Sequence, residues 1–233
     1  MKKQVAIVVI FALACLSFQI KKNQKDVTVL LHLNFNNEPL VLKDKKYVTK
    51  TKDTVIITKL KFYLSNVVLE LGDGIQYKES KSVHLVDAET LSSLEFNLKN
   101  VPDIKIKKIR FNIGIDSLNN VSEKFDGDLD PINGMYWAWN TGYINMKLEG
   151  KSSSCVNVKK EFQFHIGGYL QKQNAIQVIE IIVPENKGLI SINVELSKWL
   201  DTIFLKETNS IMIPGEKAIS MAEKYKNMFQ ITQ

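Results

Sequence analysis

Cysteine is almost absent from this sequence. Two occur in 233 residues, Cys15 and Cys155, so no disulfide framework holds the fold, and a domain of this size needs none. Histidine is nearly as scarce, with 3 copies, which leaves little for nucleophilic catalysis. There is no Gly-x-Ser-x-Gly elbow, no His-Glu-x-x-His and no Gly-rich phosphate loop. Paired carboxylates such as Asp116 and Asp128 would suit a glycosidase, but nothing in their spacing selects that chemistry. No apolar run is long enough to span a bilayer. The formal charge is +6, yet the lysines are scattered through Lys43 to Lys46, Lys105 to Lys108 and Lys159-Lys160. No nucleic-acid motif accompanies them, so nucleic acid is not an expected partner. They read as solvated faces, and a weak positive field would help docking to an acidic partner.

What is present begins with an export pattern. Lys2 and Lys3 precede an unbroken apolar run from Val5 to Ala14, and polar Lys21-Lys22-Asn23-Gln24 follows. The run is too short to cross a bilayer and suits the apolar region of a signal peptide. The expected organisation is a signal peptide over 1–20 and one domain over 21–233. Cleavage near Ala12-Leu13-Ala14, cleavage near Ser17-Phe18-Gln19 and a lipid anchor on Cys15 remain alternatives. Each places the protein in the periplasm or at the cell surface, with the membrane contacted only through that anchor. Loss of Lys2 and Lys3 leaves about +4 on the mature chain. Cys155 then stands alone in a loop and is read as incidental.

The mature region reads as mostly β. Val27 to Phe35 is rich in β-branched and apolar residues. Asn36-Asn37-Glu38-Pro39 reads as a turn, with Leu40 to Leu42 extended after it. Thr54 to Leu71 reads as strand, a bend near Ser65-Asn66, and more strand. Gly72-Asp73-Gly74 marks a hairpin. Ser82 to Val86 is a short strand, and Asp87 to Phe96 a short helical or looped excursion. Ile104 to Ile115, Tyr143 to Glu149, Lys160 to Ile166, Ile176 to Val183 and Leu189 to Leu196 alternate as strands. Lys217 to Phe229 carries apolar residues at helical spacing. The pattern predicts an all-β antiparallel sandwich of Ig-like or Greek-key type with a C-terminal helix.

One stretch concentrates the chemistry. Gly127-Asp128-Leu129-Asp130-Pro131 runs on to Gly134-Met135-Tyr136-Trp137-Ala138-Trp139-Asn140-Thr141-Gly142-Tyr143. Trp137 and Trp139 share a face if this is strand, so their indoles should stand side by side. The preceding loop, Asp116 to Gly134, is long enough to suggest function. Asp126-x-Asp128-x-Asp130 resembles half a calcium loop, but Pro131 and Trp137 stand where an EF-hand needs Gly and Glu. A non-EF calcium site from Asp116, Asp126, Asp128 or Asp130 is one reading. A turn whose carboxylates cap backbone N–H groups is the other.

This block resembles the MbnP-like family of exported copper-binding proteins. The resemblance rests on Asp128 to Pro131, Gly134 to Trp139, Gly142-Tyr143 and Lys147-Leu148-Glu149-Gly150. Ile113 to Ser117, Phe164-His165-Ile166-Gly167-Gly168 and Ile213-Pro214-Gly215 extend it over about residues 26 to 230. It implies a β-sandwich holding one copper ion on histidines, assisted by a tryptophan oxidised to kynurenine. It also implies a MauG-like diheme cytochrome peroxidase that performs the oxidation, and an outer-membrane copper-uptake partner. His32 matches the first-strand histidine and His165 the histidine before the double glycine. Trp137 and Trp139 match the tryptophan pair, with Tyr136 lining the site. Where the family shows His-x-His, this chain has His32-Leu33-Asn34, and an amide oxygen is a poor donor to Cu(I). The expected role is copper acquisition, storage or handover without catalytic turnover. The alternative is an exported protein- or glycan-interaction sandwich with a degenerate metal site and a Tyr136 to Trp139 binding face.

Overall fold

The computed structural model describes residues 23–72, 74–121, 125–140, 142–184 and 188–232. The export segment, with Cys15, and Asp73 of the expected hairpin turn lie outside the described residues. In chain order the strands are β1 (Gln24–Phe35), β2 (Glu38–Pro39), β3 (Tyr47–Val48), β4 (Thr54–Leu71), β5 (Gln76–Lys78), β6 (Val83–Asp87), β7 (Glu95–Pro102), β8 (Ile106–Ile113), β9 (Tyr136–Trp137), β10 (Gly142–Ser152), β11 (Glu161–Gly167), β12 (Gln177–Ile182), β13 (Leu189–Glu195), β14 (Ser210–Ile211) and β15 (Phe229–Ile231). Among the described residues three α-helices join them: α1 (Ser117–Val121), α2 (Ser197–Leu200) and α3 (Glu216–Tyr225).

The strands form two sheets. The smaller has the order β15-β13-β1-β2, with β7 also on β1. The larger runs β12-β8-β4-β10-β11-β14, with β3, β5 and β6 on β4 and β9 on β10. Most pairings are antiparallel, but β1 with β13 and β11 with β14 run parallel. The all-β sandwich is therefore built from mixed sheets rather than antiparallel ones alone.

Alternation explains which face each strand buries. In β1, Val27, Val29, Leu31, Leu33 and Phe35 enter the core, leaving Thr28, Leu30, His32 and Asn34 on the outer side. In β4 the alternation breaks phase twice. Val55 and Ile57 point inward, then Leu60, Phe62 and Leu64, then Val67, Leu69 and Leu71. Each break coincides with a register shift, one opposite Glu149/Gly150 on β10 and one between Ser65 and Val68 against β8. The second is the expected bend, where Asn66 takes a φ of 53°. Cys155 is fully buried in this core as a free thiol.

Two expectations need correction. The excursion after Asp87 shrinks to a 3-10 turn at Leu91–Leu94, and Glu95 opens β7 instead. The final helix ends at Tyr225, so Phe229 lies in β15 opposite Val194. Ala218, Met221, Ala222 and Tyr225 fill the helix's buried stripe, and Phe229 packs edge-on against Phe62 and Phe111 at 5.8 Å. Pairing covers a free edge of β13, which a continued helix would leave open. Among the described residues no helix is long and apolar enough to cross a membrane.

Candidate functional site

His32 stands on the outer face of the smaller sheet, half-buried. Its register partner on β13 is Asn193. Asn34 shares that face, and its Nδ2 donates to Asn193 Oδ1 at 2.7 Å. Beside them Glu195, almost fully buried, accepts from the backbone N–H groups of Asn36 and Asn37 at 2.8 and 2.9 Å. That carboxylate thereby fixes the turn where Asn36 and Asn37 both have positive φ. The His32 ring makes no hydrogen bond with the described residues.

His165 lies elsewhere. Phe162, Phe164 and Ile166 of β11 enter the core, so His165 projects from the outer face of the larger sheet. There its Nε2 meets Glu149 Oε1 at 2.7 Å. The His165 hydrogen bond holds the Glu149 carboxyl down to about 2, with the charges of Lys59 and Lys147 acting the same way against burial. Lys59 stands 3.6 Å from Glu149. Burial in turn pushes the Lys147 ammonium below its ordinary value.

The two imidazoles thus point away from each other across a sandwich about 10 Å thick between sheet planes. Metal–imidazole bonds are about 2 Å long, as for zinc. His32, Asn34 and His165 therefore do not form one donor set, contrary to expectation. The reason is parity: both histidines sit at the outward positions of strands in opposite sheets. Among the described residues no three His, Cys, Asp or Glu side chains converge on a metal position.

The tryptophan block builds a second cluster on the outside of the larger sheet. Tyr63, Ile115, Leu129, Met135, Trp137, Tyr143 and Ile144 pack together there, with Tyr136 against them. Only Tyr136–Trp137 is strand, paired with Gly142 and Tyr143. Trp139 falls in the connecting turn, yet its ring centroid still lies 5.9 Å from that of Trp137. Trp137 is 6% exposed and Trp139 64%. Trp137 rests over Gly167, two residues from His165 on the same face, an axial step of about 7 Å. The structure thus groups Trp137, Trp139, His165 and Glu149, and leaves His32 and Asn34 opposite.

The acidic loop caps this cluster. Asp116 Oδ1 accepts from Asn119 N at 2.9 Å and its Oδ2 from Asn66 Nδ2 at 2.8 Å. Asp128 Oδ2 accepts from Leu85 N at 2.9 Å, and its carbonyl accepts from Tyr63 Oη at 2.8 Å. Asp130 Oδ1 accepts from Ile132 N at 2.9 Å, ahead of a 3-10 turn begun by Pro131. Asp128 and Asp130 serve backbone donors and Asp116 serves both backbone and side-chain amides, and among the described residues no converging set supports the calcium reading; Asp126 and Asp128 line a groove with Lys81 and Asn119. Tyr143 Oη donates to Leu129 O at 2.8 Å, and burial pushes this phenol up to about 12.

Sequence reasoning passed over Asn193 and the role of Glu149. Glu149 lies within a quoted motif, but its partnership with His165 depends on the β10–β11 register.

Fold and site define a class: an all-β sandwich with an aromatic cluster on one outer face and an isolated histidine on the other. The family model described as MbnP matches residues 24–213, and the chain belongs to the MbnP family. The solved structure of MbnP from Methylosinus trichosporium superposes with a TM-score of 0.60 at 13% identity, covering 84% of this chain and 82% of that one. At that identity the likeness is one of fold. No curated protein matches the sequence.

Proposed function

We propose that the protein is an exported, non-catalytic member of the MbnP family that works in copper handling and contacts copper through His32 alone. Family membership and the resemblance read from the sequence support the copper context. One observation carries the choice of residue. The half-buried His32 ring makes no bond with the described residues, whereas His165 is committed to Glu149 at 2.7 Å. A single imidazole beside an amide already bonded to Asn193 is a weaker donor set than the two-histidine set the resemblance implies. The reading is therefore of exchangeable copper passed on, not a tightly held ion. Of the two candidate tryptophans, Trp139 is the accessible target for a diheme peroxidase, and a copper-uptake protein of the outer membrane would be the acceptor.

Competition titration with a Cu(I) chelator tests this. His32→Ala should abolish binding and His165→Ala should leave it unchanged. Loss of binding in His165→Ala, or equal binding in His32→Ala, would overturn the assignment. No binding by the native protein would favour the second reading, an interaction module. The exposed Trp139 beside buried Trp137 supports that module, because aromatic side chains anchor interfaces. Intact mass of native protein, mapped across Asp128 to Lys147, reports whether Trp139 is oxidised.

A further inference from the structure

Arg110 is the one arginine among 31 lysines and arginines. It stands on the outer face of β8 in the larger sheet, on the opposite side of the sandwich from His32. The register sets Lys78 on β5 opposite Val68 on β4, Val68 opposite Arg110, and Arg110 opposite Glu180 on β12. The bulge between Ser65 and Val68 falls at this row. A groove of about 380 Å³ lies there, lined by Asn66, Val68, Lys78, Glu79, Arg110 and Asn112. That is within the size range of small-molecule sites.

Among the described residues the acids near the groove are already engaged. Glu180 and Glu70 both face Lys108, at 3.2 and 3.7 Å. Glu79 accepts from Ser82 Oγ at 2.6 Å and meets His84 Nε2 at 2.9 Å. Among the described residues nothing forms an ion pair with Arg110 or Lys78, and nothing bonds the Asn112 side chain. Lys108 collects two carboxylates while the guanidinium beside it collects none. Three donors of different geometry therefore face one groove: a planar fork, a point cation and an amide. A guanidinium fork matches two oxygens of one anionic group, and a nearby ammonium adds charge.

We propose that the Arg110 groove binds a small ligand through a terminal oxyanion group, carboxylate or phosphate. Arg110 grips two oxygens, Lys78 adds charge and Asn112 donates from the strand. The site is independent of the copper reading.

Amide NMR titration of the protein at fixed ionic strength tests it, with inorganic phosphate and succinate as separate probes. Saturable shifts are expected at Val68, Lys78 and Phe111–Asn112. The probe that saturates distinguishes the two sources. Arg110→Ala should weaken binding at least tenfold and Arg110→Lys several-fold, because the fork is lost while the charge stays. Lys172→Ala, a charge-matched change at an exposed position, should have no effect. If Arg110→Ala does not fold, Arg110→Lys against Lys172→Ala carries the same comparison. Shifts that never saturate with either probe, or an equal effect of Lys172→Ala, would overturn the proposal.

Discussion

Gly114 has a φ of 118°, and a Cβ there would lie 2.4 Å from Asn145 Cγ. Asn145 is buried and its Oδ1 accepts from Ile115 N at 3.2 Å. Gly114→Ala must therefore strain the backbone and displace that acceptor together. A loss of about 2–4 kcal/mol is expected in urea unfolding. Gly167 is constrained differently: a Cβ would meet Trp137 Cζ3 at 2.7 Å and Tyr143 O at 2.6 Å. Gly167→Ala should lift the Trp137 indole from the sheet at a cost of about 1–3 kcal/mol and red-shift the tryptophan emission. Glu149 supplies a pH dependence. Its carboxyl is lowered from 4.5 to about 2 in the fold. A lowered carboxylate contributes stability that is complete above its unfolded value and is lost as pH falls through the folded one. Between about pH 4.5 and 2, the native protein should lose stability more steeply than Glu149→Gln, measured by denaturant midpoint. Parallel curves would show that the His165 partnership contributes nothing.

At the scale of elements, the acidic loop is a set of anchors with unequal reach. Asp130 bonds two residues along its own chain, at Ile132, so it stabilises only the local turn. Asp128 reaches β6 at Leu85 and receives Tyr63 from β4, so it ties the loop to the larger sheet. Asp130→Ala should cost about 1 kcal/mol, as a lost cap does. Asp128→Ala removes the Leu85 anchor while its backbone carbonyl still receives Tyr63. It should cost about 1–2 kcal/mol and speed amide exchange at Leu85, a signal absent from Asp130→Ala. Equal exchange at Leu85 in the two variants would mean that the loop is held by its apolar contacts alone.

At the scale of the molecule, the sandwich keeps its two outer faces independent. His32 belongs to one, and Trp139, Trp137 and His165 to the other. Acrylamide should quench Trp139 readily, because it is 64% exposed, and leave buried Trp137 and Trp199 largely protected. Copper added to the protein should not change that quenching if it binds at His32. Protection of Trp139 on metal addition would place the ion on the tryptophan face instead.

Most of the fold was legible because β-periodicity is local. β1, β8, β10, β11, β12 and β13 are written as alternating residues, and the family motifs are contiguous. The C-terminal end was misread because Phe229 fits a helical stripe as well as a strand, and only the free edge of β13 decides between them. β7 was misread because the turn before it masks where alternation resumes. The site was legible residue by residue: the sequence singled out His32, His165 and the tryptophan pair as strand residues worth naming, but not the face that each occupies, nor that Trp139 falls in a turn. Which of them are neighbours was decided by the tertiary structure. Strand parity says that a side chain leaves a sheet, not which of two sheets carries it. That assignment rests on pairings between residues far apart in the chain, such as β1 with β13 and β4 with β10, and it sets His32 and His165 on opposite faces.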